Sequence, residues 1–122
     1  MKKIHKSEYA ILAYIGVISA VSFIPGEALS SVVSLNDKLL HMLMFGVLGF
    51  LAALSIRKYA VVWAVLIIVA TAGLTEGFQR FVPGREADIW DFVSDVAGGI
   101  LILCAGRIVR VQRLIKKDNK PV

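Results

Sequence analysis

Asp37 and His41 stand four residues apart, which on a helix puts a carboxylate and an imidazole on one face. Glu76, Gln79 and Arg80 share a helix face at three- and four-residue spacing, and Asp88, Asp91 and Asp95 do so through a three- and then a four-residue step. Lys38 and Arg85 add two cations beside these sets. Carboxylates and an imidazole exchange protons with a substrate. Carboxylates also gather a divalent cation, and arginines grip phosphate or carboxylate groups with a planar two-pronged fork.

Charge decides between these uses. With histidine neutral, Asp37, Glu76, Glu86, Asp88, Asp91 and Asp95 outnumber Lys38, Arg80 and Arg85 by three. Carboxylates removed from water must pair, stay hydrated, take up protons or bind a cation. Asp91 and Asp95 repel one another at four-residue spacing unless Arg80, Arg85 or His41 intervenes. Taken singly, each residue also has a bland role. Asp37, Asp88 and Asp91 suit helix caps, Glu76 and Arg80 an ion pair along one helix, and His41 and Gln79 interhelical hydrogen bonds.

The elements that must position these groups are apolar. The chain has 122 residues, is 57% hydrophobic and has a mean hydropathy of +0.74, above the roughly 45–50% apolar content of soluble domains. Tyr9–Gly26, Leu39–Ile56 and Tyr59–Thr75 are free of Asp, Glu, Lys and Arg, and each is close to the roughly 17–25 residues a transmembrane helix needs. Val96–Gly106 is too short to cross alone. A fourth helix therefore either fails to span or begins before Asp95, and a start near Trp90 carries Asp91 and Asp95 into its first two turns. The expectation is an all-α membrane protein, a single domain over residues 1–122, with four helices at about 8–25, 36–56, 59–80 and 89–107 in an antiparallel bundle. Residues 108–122 form a basic tail.

Four spans place both termini on one side. Of 14 Lys and Arg residues, only Lys38, Arg80 and Arg85 fall on the other. The positive-inside rule makes both termini cytoplasmic and the charged cluster outward-facing. Residues 107–120 continue as a basic amphipathic helix suited to an anionic inner leaflet. The orientation signal accounts for these cations, so no nucleic-acid partner is expected. Lys2, Lys3 and Lys6 before an apolar stretch also resemble a signal peptide, but Pro25-Gly-Glu-Ala-Leu-Ser is a mediocre cleavage sequence and the first helix is expected to be retained.

Ser34-Leu-Asn-Asp37 and Asp88-Ile-Trp-Asp91 have capping-box spacing at the starts of helices two and four. Arg57-Lys58 makes a short turn that pairs helices two and three, and Pro83-Gly84 makes the outer turn. Tyr9, Tyr59 and Trp90 suit the membrane interface. Gly46 and Gly49, Gly73 and Gly77, and Gly98 and Gly99 supply small surfaces for close helix packing. Cys104 is the sole cysteine, which excludes an intramolecular disulfide. No HExxH or comparable ligand spacing is present, so no metal or other cofactor is expected, although a divalent cation would offset the acidic excess.

Asp37-Lys-Leu-Leu-His41, Glu76-Gly-Phe-Gln79, Pro83-Gly-Arg85 and Asp88-x-x-Asp91-x-x-x-Asp95-x-x-Gly98 together resemble the VanZ-like family of small bacterial membrane proteins. The resemblance covers residues 35–106. It implies a multi-pass protein of the bacterial cytoplasmic (inner) membrane with a cell-envelope role, since the family is named for an accessory protein of glycopeptide (teicoplanin) antibiotic resistance. The chain departs from the family pattern at Asp95, where asparagine is frequent, and at Phe45, where tyrosine is.

The leading expectation is an outward polar pocket that binds or shields a lipid-linked or lipophilic envelope molecule, with membrane lipids as the surroundings. An enzyme acting on an envelope lipid or glycan through His41, Glu76 and the aspartates ranks below it, because no nucleophile–base motif is present. An assembly subunit of a membrane complex is a third reading. The sequence leaves the ligand and the oligomeric state open.

Overall fold

The computed structural model describes residues 6–25, 27–28, 37–55 and 61–121. Among them are four helices and no strand: α1 (Lys6–Ser22), α2 (Asp37–Ser55), α3 (Val61–Gln79) and α4 (Ile89–Asp118). α3 and α4 are long and apolar enough to cross a membrane. The apolar stretches Glu8–Ser22 and Lys38–Leu54 of the other two are shorter. Ser34, Arg57, Lys58 and Tyr59 lie outside the described residues.

α2 packs most closely on α4, not on α3 as the short Arg57-Lys58 connection suggested. The reason is a seam of glycines. A Cβ at Gly49 would run into the Gly99 carbonyl, and one at Gly98 into the backbone of Met42. Gly46 faces Ile102, and Gly106 faces the Ala53 methyl. Removing side chains here lets two backbones approach, which matters in lipid because apolar side chains gain nothing by leaving it. Gly73 and Gly77 do not share this role. Both are exposed on α3, and a Cβ at Gly77 would meet nothing within 4 Å. Among the described residues, a Cβ at Gly73 would only touch the Phe92 ring, at 3.9 Å, so this pair makes no close backbone approach.

Phe45, Leu48 and Ala52 of α2, Ile68 and Ala72 of α3 and Leu103 of α4 form the buried centre, with Ile11 and Ile18 of α1 against it. Tyr14 on α1 donates its hydroxyl to the Met44 carbonyl at 2.8 Å, and the Phe23 and Phe78 rings meet at 5.8 Å. These contacts tie α1 to α2 and α3.

α4 has 30 residues and runs about 45 Å. It continues without interruption past residue 107, so the basic segment is the distal half of the same helix. Arg110 reaches the Ala53 carbonyl near the end of α2 at 3.5 Å, where a cation meets the negative end of the helix dipole. Beyond it Arg113, Lys116 and Lys117 are exposed, as are Leu114 and Ile115. The Asn119 amide closes α4 on the Ile115 carbonyl.

Candidate functional site

The turn between α3 and α4 sets the site. Val82-Pro-Gly-Arg85 closes with an Arg85 amide to Val82 carbonyl bond of 3.2 Å, and Gly84 takes φ 73°. Proline second and a left-handed glycine third is the type II pattern. Buried Val82 anchors the turn on the bundle. Arg85 leaves it pointing inward.

Asp88 caps α4. Its backbone is extended (φ −119°, ψ 125°) and its carboxylate accepts from the Trp90 amide at 2.9 Å. The expected capping box would have Asp91 return to the Asp88 amide. Instead Glu76, reaching across from α3, accepts that amide at 3.2 Å. One orphan donor of α4 is thus satisfied by a different helix. Asp91 is released from capping and turns inward, 5% exposed.

There it meets α2. Lys38 Nζ lies 3.1 Å from Asp88 Oδ2 and 3.4 Å from Asp91 Oδ1. His41 Nδ1 lies 2.7 Å from Asp95 Oδ1, and its Nε2 is 4.0 Å from Asp91 Oδ2. His41 is therefore the group that stands between the two repelling aspartates. The imidazole is 7% exposed and Asp95 fully buried. The Trp90 amide first, and the Lys38 ammonium second, hold the Asp88 carboxyl below its usual range.

Gln79 is 2% exposed and links two charges. With its amide oriented to suit both neighbours, it donates to Glu76 Oε1 at 3.1 Å and accepts from Arg85 Nη1 at 2.8 Å. Arg85 Nε donates to the Ile24 carbonyl at 3.0 Å, and its Nη2 is buried with no hydrogen-bond partner among the described residues. Glu76 bonds Asp88 and Gln79 in place of the ion pair with Arg80 that was its bland alternative. Arg80 is exposed in the turn after α3.

Of the residues expected at the site, the fold brings together Lys38, His41, Glu76, Gln79, Arg85, Asp88, Asp91 and Asp95, with Arg80 at the rim. Asp37 opens α2, but its side chain lies outside the described residues. The sequence reading missed the end of α1: the Ile24 carbonyl holds Arg85, and a backbone acceptor leaves no trace in residue types.

Two concavities lie near this cluster. An open cleft of about 1090 Å³ is lined by Lys38, Arg80, Arg85, Glu86, Asp88 and Asp91, among others. Beside it, starting at Leu39, an apolar groove of about 370 Å³ runs between α2 and α4 past Leu43, Gly46, Val47, Phe50 and Ile102. The glycine seam shapes its floor through Gly46 and Gly98.

No curated protein and no solved structure matches the chain. The VanZ/LLP1 family model matches residues 4–110, from α1 through the seam and into the distal half of α4. That range contains every residue of the cluster and exceeds the 35–106 carried by the motifs, and the chain belongs to the VanZ/LLP1 family.

Proposed function

We propose that this is a four-span membrane protein of the cell envelope whose outward cluster binds a lipid-linked or lipophilic molecule with an anionic headgroup. The carrying observation is that a polar cleft and an apolar groove both start at the head of α2, lined by the successive residues Lys38 and Leu39. An amphiphile with a phosphate at one end and an acyl chain at the other matches both halves. Arg80, exposed at the rim, and Arg85, on the cleft wall, supply donors for phosphate oxygens. Family membership supports an envelope role, and the distribution of the cations supports termini in the cytoplasm.

The test is native mass spectrometry of the protein released from nanodiscs. Lipids with a phosphate-bearing anionic headgroup are expected to stay bound through detergent removal, and zwitterionic lipids to leave. Arg80→Ala with Arg85→Ala should lower retention at least tenfold without lowering abundance. Equal retention of both lipid classes defeats the reading.

A second reading is favoured by the 2.7 Å His41–Asp95 contact, which has the form of a base held by an orienting carboxylate. It makes the same cleft a catalytic site on an envelope lipid or glycan. Turnover by the purified protein with Mg²⁺ or Mn²⁺ separates the two.

A further inference from the structure

Three helices contribute one buried ligand group each to a single point: His41 from α2, Glu76 from α3 and Asp95 from α4. One donor atom from each lies within 4.8 Å of the other two. Their exposures are 7%, 9% and 0%. Two carboxylates and an imidazole at this depth are more than a solvated acidic patch, because each carries a desolvation cost that water does not relieve. Asp91, 5% exposed, adds a third buried carboxylate beside the ring.

We propose that His41, Glu76 and Asp95 hold a first-row divalent cation, Zn²⁺ foremost, at a buried point behind Asp91. The donor set selects the ion. One nitrogen with carboxylate oxygens suits Zn²⁺ and Mn²⁺, whereas Ca²⁺ takes oxygens alone and Mg²⁺ keeps most of its water. Zinc sits about 2.0–2.2 Å from such donors, so His41 Nδ1 and Asp95 Oδ1, 2.7 Å apart, separate slightly to admit it and Glu76 completes the set. His41 Nδ1, now bonded to Asp95 Oδ1, becomes a ligand, and the ring proton moves to Nε2. There Asp91 Oδ2, 4.0 Å away in the metal-free chain, accepts it once the ring has shifted into hydrogen-bond range. A carboxylate on the far nitrogen of a metal-bound histidine is a recurrent outer-sphere arrangement. Asp91 also lines the cleft. It is therefore a positioning residue that touches both the imidazole and whatever enters from outside.

This site stands apart from the lipid reading, because the ion is measured alone. The full chain, purified in detergent and stripped with chelator, is titrated with Zn²⁺ by calorimetry and assayed by elemental analysis. One equivalent is expected. Glu76→Gln and His41→Gln should each weaken binding more than about a hundredfold, and Asp91→Asn about ten- to a hundredfold. If those variants fail to fold, paramagnetic Mn²⁺ added to the unaltered protein should broaden the His41 ring resonances and spare those of Trp63, exposed near the far end of α3. Absence of stoichiometric binding, or broadening equal at His41 and Trp63, overturns the proposal.

Discussion

His41 Nδ1 and Asp95 Oδ1, 2.7 Å apart, join α2 to the second turn of α4 at a point where the aspartate has no solvent exposure. The contact works with either an aspartate or an asparagine oxygen as the acceptor. Asp95→Asn is accordingly expected to lower stability by no more than about 1.5 kcal/mol. Asp95→Ala, which strands the ring donor, should cost about 2–3 kcal/mol. Thermal unfolding in detergent distinguishes them. Equal damage by both would mean that the charge, not the acceptor, holds α4 in place.

Arg85 uses two nitrogens in two directions, toward Ile24 and Gln79. A lysine cannot reproduce that fork. Arg85→Lys should therefore behave like Arg85→Ala. Both should speed hydrogen exchange at the end of α1 and leave the α2–α4 pair protected. Rescue by lysine would show that only the positive charge matters.

The glycines are expected to divide sharply. Gly49→Val and Gly98→Val drive a side chain into backbone and should destabilise by about 3 kcal/mol or more. Gly77→Ala enters open space and should be neutral or stabilising by up to about 1 kcal/mol. The same melting measurements check all three.

Asp88 gives a pH dependence with a definite sign. Its carboxyl titrates lower in the folded chain than the ordinary 3.8, because the Trp90 amide and Lys38 favour the charged form. Its stabilising effect is complete above about that value and is lost as the pH falls through the folded one. Unfolding of the protein should show an acid limb that is smaller in Asp88→Ala, a variant already less stable at neutral pH. An acid limb unchanged by the substitution would assign it to other carboxylates.

Topology is open to labelling. In a Cys104→Ser background, a membrane-impermeant thiol reagent added to intact cells should modify Glu86→Cys and spare Lys120→Cys. The reverse pattern would invert the orientation that the cations imply.

Much of this cluster was legible in the sequence because helical spacing and charge are both local quantities. Residues four apart had to share a face, and the short uncharged run after Asp95 required the helix to start earlier, as it does at Ile89. The partners were not legible. Asp88 and Asp91 had capping-box spacing, yet Glu76 supplies half of the cap. Glycine spacing was equally evident on α3 and along the seam, but only tertiary contacts show which set faces another helix. Those outcomes depend on how three helices meet, which no interval along the chain records.

The seam between α2 and α4 has a consequence for how such a chain can drift. Where two side chains touch, enlargement of one can be answered by shrinkage of the other. At Gly49 and Gly98 the opposing atoms belong to the main chain of Gly99 and Met42, and no substitution removes a main chain. Mutations there have no compensating partner, so these positions should tolerate change least, even though neither carries a functional group.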